Sequence, residues 1–241
     1  MQFLTFHLQT GFKVISVILI QHHTELEARA GPLCGGAGPL RLRMFAWFMA
    51  RCGHKTDRYL AEYKSKLFSN LSGTVLEIGP GAGANLRHLP RTGIKWNGVE
   101  PNPHMEKHLR KEGRQLGLEI ELRSGSAENL PAPDASVDFI ISTLVLCSVV
   151  NQDRALKEVL RVLRPGGKFL FIEHVAARRG TWLQRIQVLV KPLWRRMGDG
   201  CHPDRDTATA LRRAGFAVVK IEEFAAPLPI VRPHIAGTAS K

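Results

Sequence analysis

Residues 75–85 read Val-Leu-Glu-Ile-Gly-Pro-Gly-Ala-Gly-Ala-Asn, and this stretch decides the fold. Thr74 to Ile78 predicts a short buried strand, and glycines follow at alternate positions, Gly79, Gly81 and Gly83. Lacking Cβ atoms, such residues turn sharply and let a ligand lie against bare backbone. A helix expected to start near Asn85 offers unpaired N–H groups at its first turn. Glu77, two residues before the first glycine, places a carboxylate at the strand's end. Glu100 closes the next apolar stretch, Trp96 to Val99, at about the separation where a Rossmann-type site reads a ribose. The pattern predicts a nucleoside-binding site on an α/β sheet.

Two ligand classes use that geometry. The spacing Gly79-x-Gly81-x-x-Ala84 fits a dinucleotide fingerprint, but a lone match is weak. S-adenosylmethionine has no phosphate, and its aminoacyl ammonium wants a carboxylate or carbonyls nearby. Glu77 supplies that negative charge, directly or through water, and would repel a pyrophosphate. A nicotinamide-dependent reductase should also lack Glu77, and no Tyr-x-x-x-Lys pair occurs. The acid favours the methyl donor.

The downstream order agrees. Ser124 to Pro131 (Ser-Gly-Ser-Ala-Glu-Asn-Leu-Pro) follows a strand-like Glu119 to Arg123, and its small residues let a loop approach an adenine ring. Ser136 to Val149 is a long apolar run, read as a buried parallel strand. Gln152 to Leu163 has a helical period. Arg164-Pro165-Gly166-Gly167 stops that helix, and Lys168 to Glu173 reads as the next strand.

Over roughly residues 57–241 the chain resembles class I S-adenosylmethionine-dependent methyltransferases. The residues that carry the likeness are Glu77-x-Gly-x-Gly-x-Gly83, Glu100, Gly125 to Pro131 and Leu163-Arg-Pro-Gly-Gly167. The resemblance implies a Rossmann-like, seven-stranded, mostly parallel sheet with helices on both faces and a reversed last hairpin. It implies a cofactor set of Glu77, Gly79, Pro80, Gly81, Gly83 and Asn85, then Glu100 and Pro101 at the ribose. Ser126, Ala127 and Glu128 complete it at the adenine, with Thr143 and Leu144. Many members have Asp where this chain has Ser126, which leaves backbone rather than side-chain contacts to the adenine there.

A closer likeness lies in stretches with no cofactor logic. These are Lys66–Leu71, Pro101–Lys107, Thr143–Val149, Glu173–Ala177, Asp199–Cys201 and Val231–Ile235. They are similar to the membrane-associated alkyl-thiol S-methyltransferases of animals and their plant and bacterial relatives. That likeness implies a small lipophilic acceptor, favoured at a thiol sulfur. The alternatives are oxygen or carbon methylation of quinol- or phenol-type molecules and, more distantly, a non-catalytic binding protein. Animal members sit on the endoplasmic reticulum or lipid droplets through an apolar N-terminal helix.

With 241 residues and 44% apolar content, one α/β core plus an extension is expected. The cysteines at 34, 52, 147 and 201 form no CxxC and no zinc spacing, so a reduced compartment and no metal are expected. Cys147 reads as a small core residue. The formal charge is +13, and residues 178–213 carry nine Lys/Arg against three Asp. Within them, Trp182, Ile186, Leu189, Val190 and Leu193 share a helical face opposite Arg185. Such a basic amphipathic segment reads as membrane-surface binding or substrate cover. A nucleic-acid partner would bring aromatic interleaving and a recognisable module, and neither occurs.

Phe3 to Ile20 is apolar but broken by His7, Gln9 and Lys13, and its longest clean run is far short of the ~20 residues of a spanning helix. Gly31 to Pro39 reads as a linker, and Leu40 to Met49 is apolar with arginines around it. Residues 1–56 are read as a monotopic or targeting extension and 57–241 as the catalytic domain of a monomer. Methyl transfer from a sulfonium needs a positioned nucleophile more than an acid–base array. A thiol acceptor must become a thiolate. His174, at a strand's C-terminal end, is the first candidate to assist, followed by Asp199 and His202.

Overall fold

The computed structural model describes residues 38–241, so the expectations for Phe3–Ile20 and the start of the linker lie outside the described residues. Helix α1 (Pro39–Phe68) opens the described chain with proline in its first turn, where a missing N–H costs nothing. It runs unbroken across positions 56 and 57, where the sequence reading placed a domain boundary. That boundary therefore falls inside a helix rather than between elements. Leu42 and Ala46 are as buried as Leu60 and Phe68, so the helix packs on the domain at both ends.

Seven strands follow: β1 (Gly73–Ile78), β2 (Ile94–Glu100), β3 (Glu121–Ser124), β4 (Val137–Thr143), β5 (Leu163–His174), β6 (Val218–Ala225) and β7 (Pro233–Ser240). They form one sheet in the order β3-β2-β1-β4-β5-β7-β6. All neighbours are parallel up to β5, and β7 runs antiparallel to both β5 and β6. This is the mostly parallel sheet with a reversed last hairpin that the resemblance to class I methyltransferases implies. The strand order reverses between β1 and β4, and such a switch point opens a crevice at the C-terminal ends of the strands.

Helices α2 (Glu106–Leu116), α3 (Gln152–Val162), α4 (Trp182–Met197) and α5 (Thr207–Arg213) complete the fold. α3 shows how the sequence sets an element. Asn151 caps its N-terminus by accepting from the Arg154 N–H, and Ala155, Leu156, Val159 and Val162 are buried in the main core. Its end at Val162 agrees with the stop expected from Arg164-Pro-Gly-Gly167. Those four residues bulge out of the sheet, since Val137 pairs with Leu163 and Phe139 with Lys168.

Two local expectations change. The apolar run 136–149 is a strand only to Thr143, because Glu173 takes the backbone N–H groups of Val145 and Leu146 at 3.1 Å each. Leu144 turns the chain there with φ 58°. After Asn85 there is no α-helix but a single 3-10 turn, Leu86–His88, closed by Pro90, so the chain returns at once to β2. Among the described residues, no helix is long and apolar enough to cross a membrane.

Candidate active site

A cavity lies at the switch point, floored by the ends of β1, β2 and β4. Gly79 and Gly81 turn the chain out of β1 with φ 60° and 55°. A Cβ on Gly79 would strike the Val145 side chain at 2.8 Å, whereas one on Gly81 would meet nothing within 4 Å. The turn thus leaves an open cradle at Gly81, whose N–H donates to Glu100 Oε2 at 3.0 Å. Glu100 Oε1 accepts from the Asn102 N–H at 3.0 Å, so two backbone groups aim the carboxylate. Burial pushes its pKa up to about 7 against those two bonds.

Glu77 is buried deeper. Its oxygens accept from Asn85 Nδ2 and Trp96 Nε1, each at 2.9 Å, and Asn85 Nδ2 also reaches Thr143 Oγ1 at 3.0 Å. Burial raises its pKa more than those bonds and the Lys64 charge lower it. A carboxylate held at that cost is eased by a cationic ligand. Asn85 Oδ1 is buried with no partner, an acceptor on a residue lining the cavity.

The opposite wall is α1. Phe45, Met49, Gly53, Thr56, Leu60 and Lys64 line the cavity at spacings of three and four, one helical stripe, with Asp57 beside it. Asn102 Nδ2 donates to the Leu42 carbonyl at 3.1 Å and ties this wall to the Glu100 loop. At its inner end Lys64 Nζ donates to Asp57 Oδ1 at 2.6 Å, and His88 Nε2 lies 3.1 Å from the same oxygen. Burial pulls the Lys64 pKa down; at Asp57 burial is outweighed by Lys64 and His88, and the carboxyl is lowered. The stripe 45-49-53-56-60-64 was the available signal in the sequence, and reading residues 1–56 as an extension hid it.

Of the expected cofactor residues, Glu77, Gly79, Pro80, Gly81, Asn85, Glu100, Pro101, Ser126, Ala127, Glu128, Thr143 and Leu144 all line this cavity. Gly83 does not; a Cβ there would meet Leu109 and Leu86 at 3.1 Å, so it serves packing. Glu128 also accepts from the Val150 N–H at 2.7 Å, pinning the loop before α3. Asp199 lines the cavity too, with φ 49° and Arg41 Nη2 at 3.4 Å from its carboxylate. Burial raises its pKa against the pull of Arg41. His174 is elsewhere: it is buried behind the wall with Nε2 3.0 Å from Cys201 Sγ. His202 also stands off the cavity, and burial followed by three nearby cations brings its pKa to about 4.

The sheet order, the glycine cradle and the strand-end acids define an S-adenosylmethionine-dependent methyltransferase. Residues 76–171 match the methyltransferase domain family. Thiol S-methyltransferase TMT1A of Homo sapiens is 42% identical over 212 residues, 83% of this chain and 86% of that protein. Thiol S-methyltransferase TMT1B of Homo sapiens is 38% identical, over 87% of this chain and 91% of that one. The chain belongs to the same methyltransferase family as these two proteins. A solved methyltransferase from Thermotoga maritima, described as a possible histamine N-methyltransferase, shares the fold with a TM-score of 0.56. It is 24% identical and covers 80% of this chain and 98% of that one.

Proposed function

We propose that this enzyme methylates the sulfur of a small lipophilic thiol. The observation that carries this reading is the two-sided cavity, with buried acids at the strand ends facing the apolar stripe of α1. The strand-end half would hold S-adenosylmethionine, which would supply a methyl group already activated by its sulfonium. Glu100 would accept both ribose hydroxyls, and the 126–128 loop would cover the adenine. Glu77 and Asn85 would face the aminoacyl end, with Asp57 and Lys64 offering one charge for each half of that zwitterion.

The acceptor would then lie among Phe45, Met49, Leu144, Val145 and Val149, all cavity-lining. Such a wall holds an alkyl chain and excludes water. The acceptor sulfur would take the methyl group from the sulfonium, which would leave as the thioether of S-adenosylhomocysteine. Asp199, which faces the cavity and is raised by burial, would take the acceptor's proton. The two relatives named above are called thiol S-methyltransferases, which supports sulfur over oxygen or carbon. Turnover of small thiols, phenols, amines and quinols with labelled S-adenosylmethionine tests it. Methylated thiols are expected; turnover of phenols or quinols without any thiol product would overturn the sulfur reading.

A peripheral membrane contact belongs to the same proposal. α4 is amphipathic in an inverted sense. Gln187 is fully buried, accepting from the Ala177 N–H and donating to the Ile230 carbonyl, while Trp182, Leu189, Leu193 and Met197 are exposed. Leu189 is 78% exposed, and Leu40, Met44, Trp47 and Phe48 form a second exposed stripe on α1. Arg41 Nη1 donates to the Arg196 carbonyl at 3.0 Å, so the two helices meet at those ends. Clustered exposed apolar side chains support an interaction site, and the arginines beside them favour an anionic lipid surface. Co-sedimentation with anionic vesicles should weaken with salt and with Leu189→Ser plus Leu193→Ser; equal binding to neutral vesicles would remove the electrostatic part.

A further inference from the structure

Behind the cavity wall, two loops and a strand end bring together side chains that the methyl-transfer reading does not use. Cys147 follows β4, His174 ends β5, and Cys201 follows α4. Their ligand atoms all lie within 4.8 Å of one another. Cys201 Sγ is 3.8 Å from Cys147 Sγ and 3.0 Å from His174 Nε2. We propose that Cys147, His174 and Cys201 form a three-ligand binding site for a thiophilic divalent cation of the zinc type.

The distances support it. A tetrahedral zinc with sulfurs at about 2.3 Å separates two thiolates by about 3.8 Å, which is the separation found. The nitrogen–sulfur edge of the same tetrahedron is about 3.6 Å, so His174 must draw back by roughly half an ångström. His174 Nδ1 has no partner among the described residues, so that movement breaks no hydrogen bond seen at the ring's other end. The two cysteine loops are already joined, because the His202 N–H donates to the Cys147 carbonyl at 2.9 Å. Arg205 clamps the first of them through the Leu146 and Val149 carbonyls.

Charge and outer contacts agree. Two thiolates, a neutral imidazole and a divalent cation sum to zero, a charge an interior accepts far more readily than bare thiolates. Trp194 Nε1 donates to Cys201 Sγ at 3.2 Å, an outer-shell bond of the kind that orients a ligating sulfur. Three protein ligands leave a fourth position open. Ser148, which lines the cavity, has its Oγ 3.6 Å from Cys147 Sγ, so the site sits directly against the acceptor side. The sequence hides all this, since the ligands are 27 residues apart in each step and form no short motif.

The full chain, reduced and freed of metal, is titrated with Zn2+ against a chromophoric chelator and separately with Co2+. One equivalent of each is expected, the cobalt form showing thiolate-to-metal charge transfer and tetrahedral visible bands. Cys147→Ser and Cys201→Ser should each weaken zinc by more than about a hundredfold, beyond the ten- to hundredfold typical of outer-shell losses. His174→Ala should weaken it as well, and Cys52→Ser should leave it unchanged. Should a cysteine variant fail to fold, the rise in melting temperature of wild type on adding Zn2+, absent in His174→Ala, carries the test. The proposal is overturned if the reduced wild type binds no stoichiometric zinc, or if binding survives all three substitutions. It is equally overturned if mass spectrometry finds a Cys147–Cys201 disulfide and the reduced protein ignores zinc.

Discussion

The strand-end half of the cavity and its helical half are built by opposite means. Glu77, Gly79, Gly81 and Glu100 sit where two neighbouring strands stop, within 24 positions of one another, and each is placed by backbone already fixed in the sheet. Phe45, Met49 and Asp199 come from a helix and a loop at opposite ends of the chain, held by Arg41 on Asp199 and Asn102 on Leu42. The first half is rigid because the sheet is; the second depends on a few tertiary contacts. Cofactor binding should therefore be robust to changes in the acceptor wall, up to the point where the wall itself is removed.

Removing it is the most severe way to break the comparison. Deleting residues through Thr56 cuts α1 near its middle and takes away Leu42, Ala46, Phe45 and Met49. Saturable S-adenosylmethionine binding by calorimetry is expected to vanish, with a broadened melting transition. Retention of full affinity by residues 57–241 would show that the strand ends suffice alone, as the sequence reading had it.

Gly81→Val comes next in size. Its Cβ branches enter the open cradle, and overpacking of that kind costs about 1–3 kcal/mol, or about 5- to 150-fold in affinity. The positive φ adds strain of about 1–2 kcal/mol, but it is present with and without ligand. The strain should lower the melting temperature, and the branches should lower affinity; a variant that melts early yet binds normally would separate the two.

The deletion and the Gly81 substitution also divide what the sequence makes legible from what it does not. β1, β2, α3 and the Arg164–Gly167 stop could be read because each is specified by its own residues, through apolar runs, capping or turn chemistry. The end of β4 at Thr143 could not, because it is decided by Glu173, a side chain from the next strand that captures two backbone N–H groups. The 3-10 turn after Asn85 was read as a helix because a glycine turn ordinarily leads into one, and Pro90 cuts it short. In the site, strand-end residues were found by spacing. The α1 stripe is hard to read because it lies within the stretch expected to be an extension, and Cys147, His174 and Cys201 are united only by tertiary structure.

A pH series sharpens the strand-end half. Glu77, Glu100 and Glu173 are all raised by burial, so the folded protein holds protons that the unfolded chain releases from about pH 4.5 upward. Intrinsic stability should therefore fall as pH rises through that window, to about 7 for Glu100. Cofactor binding has the opposite sign, since Glu100 must be ionised to accept the ribose hydroxyls. Affinity should rise by up to about tenfold per unit as pH approaches 7 and then level off. A melting-temperature gain from S-adenosylmethionine that is as large at pH 6 as at pH 8 would remove Glu100 from the ribose.

The smallest effect is expected on the other wall. Phe45 is half-buried and lines the cavity, so Phe45→Ala removes part of the apolar surface an acceptor chain would touch. Burial of a methylene is worth about 0.8 kcal/mol, which corresponds to roughly fourfold, and an exposed acceptor tail would realise only one or two such contacts. The KM for a long alkyl thiol should rise by several-fold, that for a two-carbon thiol should barely move, and the KM for S-adenosylmethionine should stay constant. The chain-length dependence carries the argument, because a general loosening of α1 would raise all three together. An equal rise for short and long thiols would place the acceptor away from Phe45, and a rise confined to S-adenosylmethionine would place Phe45 against the cofactor instead.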